Sequence, residues 1–159
     1  MMIKVLFVCY GNICRSPMAE FVMKDLVAQA GLSDQFEIAS AATSTEEIWN
    51  GVGNPVYPPA REELARHGIG CAGKRAVQLK RSDYDKSDYL IGMEERNIRD
   101  MERILGRKGD KIHLLLSFAG SSAGIRDPWY SGQFDETYRD VLKGCTALLE
   151  YLKRENQLG

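Results

Sequence analysis

The sequence carries no excess of charge, no cysteine framework and no long apolar run. Its 21 basic and 22 acidic side chains leave a formal net charge of -1 over 159 residues. Nonspecific binding to nucleic acid or to an anionic membrane draws on a strong basic excess, so neither partner is expected. The four cysteines, Cys9, Cys14, Cys71 and Cys145, form no CxxC pair. A chain of this length builds a core without disulfide staples, which points to free thiols in a reducing, cytoplasmic compartment. Four scattered cysteines also lack zinc-ligand spacing, and no metal is expected. The apolar run Ile3–Val8 is too short for a signal peptide, and no small-residue cleavage site follows it. No stretch approaches membrane-spanning length. Repeats, low-complexity tracts and linkers are all lacking, so one domain over 1–159 is expected.

What is present is an alternation of short apolar runs with amphipathic segments. Ile3–Val8, Phe36–Ser40, Asp88–Met93 and Ile112–Leu116 read as buried strands. Between them, a helix opening at Ser16-Pro17, with Ser16 as hydroxyl cap, carries Met18, Phe21, Val22, Leu26 and Val27 and stops at Gly31. A second opens at Pro58-Pro59 and ends at Gly68, and a third runs from Glu94 to about Leu105. The closing helix is the clearest: Phe134, Tyr138, Val141, Cys145, Leu148 and Leu152 form one apolar stripe. Residues 41–56 and 117–132 read as loops. This pattern gives an α/β three-layer sandwich, a parallel sheet with helices on both faces. Ligands in such sheets sit beyond the carboxyl ends of the strands, so the loop after the first strand is where chemistry is expected.

That loop, Cys9-Tyr10-Gly11-Asn12-Ile13-Cys14-Arg15-Ser16, has the makings of an anion trap. Gly11 and Asn12 tolerate left-handed backbone angles, which lets the chain curl with its N–H groups inward. The helix that follows adds the positive end of its dipole, and Arg15 a planar fork matched to two phosphate oxygens. Such a field favours the thiolate, the nucleophilic form of cysteine, and Ser16 is placed to donate a hydrogen bond to it. Nucleophile and oxyanion cradle come from one loop. Cys-x5-Arg is a weak signal alone; its position between a strand and a Ser-Pro helix start makes it specific.

Cys9–Pro17 closely resembles the phosphate-binding loop of the low-molecular-weight protein tyrosine phosphatases. The resemblance covers essentially the whole chain: Leu64–Ile69, Asp88–Arg99 and Asp127-Pro128 are similar to the second helix end, the third strand with its helix, and the general-acid loop of that family. It implies a four-stranded sheet of order 2-1-3-4. It implies Cys9 as nucleophile, Arg15 as phosphate clamp and Asp127 as general acid, with a phosphocysteine intermediate and no cofactor. It further implies a hydrogen bond from His67 to Asn12, and a reversible disulfide between Cys9 and Cys14 that protects the nucleophile. A tyrosine-phosphorylated protein is the implied substrate partner, with inorganic phosphate or a similar oxyanion in the site. Trp49, Trp129 and Tyr130 are expected to wall the pocket around a phosphotyrosine ring.

The sequence departs from the family pattern in its rim. Alanine stands where glycine is usual in Ser40-Ala41-Ala42-Thr43, Tyr57 where many relatives have aspartate, and Trp129 replaces a frequent tyrosine. Two further readings share the anion loop. A phosphoarginine phosphatase typically carries threonine at the position of Ile13, and a larger isoleucine there favours phosphotyrosine. A noncatalytic phosphate-binding or redox-switch module would need the loop but not Asp127. An arsenate reductase of this scaffold needs relay cysteines, and the chain has none between Cys71 and Cys145.

Overall fold

A computed structural model describes residues 2–158. In chain order the elements are β1 (Ile3–Cys9), α1 (Arg15–Gln29), β2 (Phe36–Ala42), β3 (Ile48–Trp49), β4 (Val52–Gly53), α2 (Pro58–Arg66), α3 (Asp83–Lys86), β5 (Tyr89–Gly92), α4 (Glu95–Leu105), β6 (Ile112–Leu114), α5 (Pro128–Ser131) and α6 (Phe134–Glu155). β1 is central and pairs in parallel with β2 and β5, and β6 extends the sheet beyond β5. The order is β2-β1-β5-β6. Counting only this sheet's strands, that is the expected 2-1-3-4. The numbers shift because β3 and β4 form a small antiparallel hairpin in a segment read as loop.

Alternation along β1 divides the interior into two layers. Val5, Phe7 and Cys9 join the core built with α1, α2 and α6, while Leu6 and Val8 join the one built with α3 and α4. The stripe of α6 behaves as read: Val141, Cys145, Leu148 and Leu152 are fully buried against Met18, Val22 and Met23 of α1. Glu94 opens α4 with a reciprocal capping box to Asn97, and Gly106 closes it in the left-handed region.

Two local expectations are corrected. The fourth strand ends at Leu114, not Leu116, and Leu115–Ala119 form a 3-10 turn. Leu115 and Leu116 belong to the same core, whereas strand alternation would send them to opposite faces. Ser16 is not a helix cap. The helix begins at Arg15 after Cys14, with no side-chain cap, because the Ser16 hydroxyl is turned inward to the loop it follows.

Candidate active site

β1 delivers Cys9 to the carboxyl edge of the sheet, and the chain must turn at once to start α1. Asn12 makes that turn with φ of 60°, the left-handed region that asparagine tolerates best after glycine. The strained residue is held from every side. Its side-chain Nδ2 donates to Ser16 Oγ at 2.8 Å and to Ser40 Oγ at 2.9 Å, and its Oδ1 accepts from the Val77 N–H at 3.0 Å. Ser40 Oγ in turn donates to Glu20 Oε1 at 2.6 Å. Because Ser16 Oγ accepts from Asn12, its own proton is free for Cys9 Sγ, which lies 3.0 Å away. The Asn12 N–H also donates to that sulfur, at 3.3 Å. The sulfur therefore faces two hydrogen-bond donors.

The two cysteines of the loop differ in chemistry. Burial pushes the Cys14 thiol well up, and neighbouring Cys9 adds to the effect. Cys14 is thus held as the neutral thiol while Cys9 faces the cavity's donors. Both are buried and neither is disulfide-bonded.

Arg15 is 2% exposed, and burial opposes its charge. Cys9, Asp127 and Glu94 more than offset that opposition and hold its pKa above the ordinary arginine value. Nη1 pairs with Glu94 Oε2 and donates to the Ile125 carbonyl at 3.0 Å; Nη2 lies 3.5 Å from Asp127 Oδ2. Asp127 caps α5, with Oδ1 accepting the Trp129 N–H at 3.1 Å, which leaves Oδ2 turned to the guanidinium. Pro128 sits at the first turn of α5 and keeps Asp127 extended, at φ -72° and ψ 114°.

These groups line one cavity of about 140 Å³, formed by Cys9, Tyr10, Gly11, Asn12, Ile13, Cys14, Arg15, Glu46, Glu47, Asp127, Trp129 and Tyr130. A thiol, a clamped guanidinium and a carboxylate facing one small space can hold a tetrahedral oxyanion and exchange a group with it. Among the described residues, no three or more His, Cys, Asp or Glu side chains are grouped as metal ligands.

Two expected members stand elsewhere. Trp49 lies on β3, 79% exposed and outside the cavity lining, because the hairpin carries its ring outward. His67 does not reach Asn12. It ends α2, stacks flat on Tyr138 at 3.7 Å, and places Nε2 3.0 Å from Glu63 Oε2, lining a separate groove between α2 and α6. The partners of Asn12 are Ser16, Ser40 and Val77 instead. Half-buried Lys74 joins that network, donating to the Ser40 carbonyl at 3.0 Å and lying 3.5 Å from Glu20 Oε1.

Several members were not read from the sequence: Glu94, Glu20, Ser40, Lys74, Glu46 and Glu47. Glu94 was read only as the start of a helix. For Glu20 the available sign was an acid beside Met18, Ala19 and Val22 on the inner side of α1. The rest come from distant segments and left no local trace. The departures at Tyr57 and Trp129 answer one another, since their rings meet at 4.8 Å.

Comparison with known proteins agrees with this arrangement. The profile of the low molecular weight phosphotyrosine protein phosphatases matches residues 4–158. The chain belongs to that family. It is 40% identical over 160 residues to the low molecular weight protein-tyrosine-phosphatase YfkJ of Bacillus subtilis, covering 99% of this chain and 100% of that one. It is 41% identical over 152 residues to the low molecular weight phosphotyrosine protein phosphatase of Rattus norvegicus, covering 92% and 93%. The crystal structure of YfkJ superposes with a TM-score of 0.92 at 38% identity, over 98% of this chain and 97% of that one. In this member of the phosphatase family, Cys9 and Arg15 occupy the Cys-x5-Arg positions, and Asp127 lines the same cavity.

Proposed function

We propose that the chain is a single-domain protein tyrosine phosphatase that hydrolyses phosphotyrosine and other aryl phosphates through a phosphocysteine. The observation that carries the reading is the meeting of Cys9, Arg15 and Asp127 in one 140 Å³ cavity. Arg15, anchored by Glu94 and Ile125, holds the phosphoryl oxygens. The Cys9 thiolate attacks phosphorus as the bond to the phenol oxygen breaks. Asp127 gives its proton to that oxygen. Water then attacks the phosphocysteine, Asp127 takes its proton, and phosphate leaves with the thiolate restored. Charge on the equatorial oxygens is met by Arg15 and the loop throughout. No cofactor or metal enters this scheme.

The substrate side rests on Ile13, Trp129 and Tyr130, apolar or aromatic groups lining the cavity, which suit a phenol ring better than a guanidinium. Trp49 is no part of that wall. Four free thiols suit a cytoplasmic setting, and no helix among the described residues is long and apolar enough to cross a membrane. A Cys9–Cys14 disulfide belongs to the same proposal. Peroxide inactivation should be reversed by dithiothreitol, and Cys14→Ser should lose that rescue; equal rescue in both would refute the disulfide.

The test of the main reading is steady-state hydrolysis of p-nitrophenyl phosphate, a phosphotyrosine peptide and phosphoarginine, without added metal. Cys9→Ser should abolish turnover, and Asp127→Ala should lower kcat about 10²- to 10⁴-fold. A folded, inactive wild type would leave a binding or redox-switch module; faster turnover of phosphoarginine would reassign the substrate.

A further inference from the structure

The residue after the nucleophile carries a ring that phosphoryl transfer does not use, yet two other segments hold it in place. Tyr10 lines the catalytic cavity. Its hydroxyl donates to Glu46 Oε1 at 2.9 Å, and the Arg96 guanidinium of α4 covers its ring at 4.7 Å from the centroid. Its backbone carbonyl accepts from the Ser44 N–H at 2.9 Å. The Glu46 hydrogen bond also holds the Tyr10 pKa above the ordinary tyrosine value, so the phenol remains a neutral donor at neutral pH.

The aromatic groups contributed by the Asp127 loop are held less closely. Trp129 is 54% exposed and Tyr130 is 85% exposed, and Trp129 is braced mainly by Tyr57. The cavity thus has one fixed aromatic wall and one looser one. A ring already immobilised loses little conformational freedom when a second ring packs on it, so its contact energy reaches the complex largely undiminished. An alkyl phosphate makes the same contacts with Arg15 but presents no ring to Tyr10.

We propose that Tyr10, pinned by Glu46 and Arg96, is the residue that selects aryl over alkyl phosphates in this site. The proposal rests on the phosphatase reading and names the substrate feature it recognises. Tyr10 acts on the leaving-group ring, while the phosphoryl group remains with Arg15 and Asn12's loop. Glu46 and Arg96 are positioning residues that act through the Tyr10 ring.

The experiment is calorimetric binding of phenylphosphonate, methylphosphonate and inorganic phosphate to the full chain, alongside p-nitrophenyl phosphate turnover. Tyr10→Leu keeps an apolar side chain without the ring and should lower the ratio of phenylphosphonate to phosphate affinity about tenfold, the upper range of an aromatic pair contact. Glu46→Ala and Arg96→Ala leave the ring but release it, and each should lower that ratio about threefold; Arg96→Ala, outside the cavity lining, should leave the phosphate and methylphosphonate affinities within about twofold. All three ligands weakening together would mean a damaged loop and would overturn the assignment, as would an unchanged ratio in Tyr10→Leu. Binding is read without turnover, so the two readings fail separately. An inactive unsubstituted chain refutes the phosphatase, and an active one with an unchanged ratio refutes only the role of Tyr10.

Discussion

Arg15 shows how one side chain is made to do its work by others. Its guanidinium is buried, and the carboxylate of Glu94 and the carbonyl of Ile125 fix one edge of the fork, leaving the other toward Asp127 and Cys9. Glu94→Gln keeps the shape and removes the charge. It should lower kcat/KM for p-nitrophenyl phosphate about 10- to 100-fold, since a small misplacement of a clamping group carries a cost of that order. Steady-state kinetics with circular dichroism decides the matter: unchanged kcat/KM in a folded variant would show that Ile125 and the cavity orient Arg15 without Glu94. Cys9 and Arg15 were legible because their roles attach to local spacing, whereas Asp127 was reached only through the family resemblance of Asp127-Pro128. Glu94 was not, because its role exists only once β5 brings α4's first turn beside the loop after β1.

At the scale of elements, periodicity located the four sheet strands and the long helices, and it failed where neighbours compete for a face. Leu115 and Leu116 both belong to the core with α6, so the chain leaves the strand and enters a 3-10 turn. The hairpin of β3 and β4 is two residues a side, too short for any alternation to register. His113, on the edge strand β6, sits among Tyr89 and Phe118, with centroids at 5.7 and 5.3 Å. Burial holds its pKa below the ordinary 6.5, partly opposed by Asp110. The unfolded chain therefore takes up a proton near pH 6.5 that the folded chain resists. This group's contribution to stability is complete above that value and is lost as pH falls through the lower folded value. Urea midpoints should fall between pH 7 and pH 5, and fall less in His113→Gln. Equal losses in both chains would remove His113 from the account.

For the whole molecule, the decisive contact is α6 against the 3-10 turn and α1, which closes the layer beneath the catalytic loop. Gly144 of α6 leaves room for Leu115: a Cβ there would stand 2.5 Å from Leu115 Cγ. Gly144→Ala should destabilise the fold by about 1–3 kcal/mol and lower Tm by several degrees, with turnover retained at low temperature. A melting curve that does not move would mean that Leu115 changes rotamer without cost. The sequence by itself determined the alternation of strands and helices, the parallel sheet, and the anion loop, because spacing along a strand or helix already states which side chains share a face or a turn. The tertiary structure alone decided that Asn12 is held by Ser16, Ser40 and Val77 and not by His67, that Trp49 stands outside the cavity, and that Glu94 anchors Arg15. Apart from Asn12–Ser16, the hydrogen-bonded pairs join residues 28 to 79 positions apart, and partners at such separations are chosen by packing, which no local pattern records.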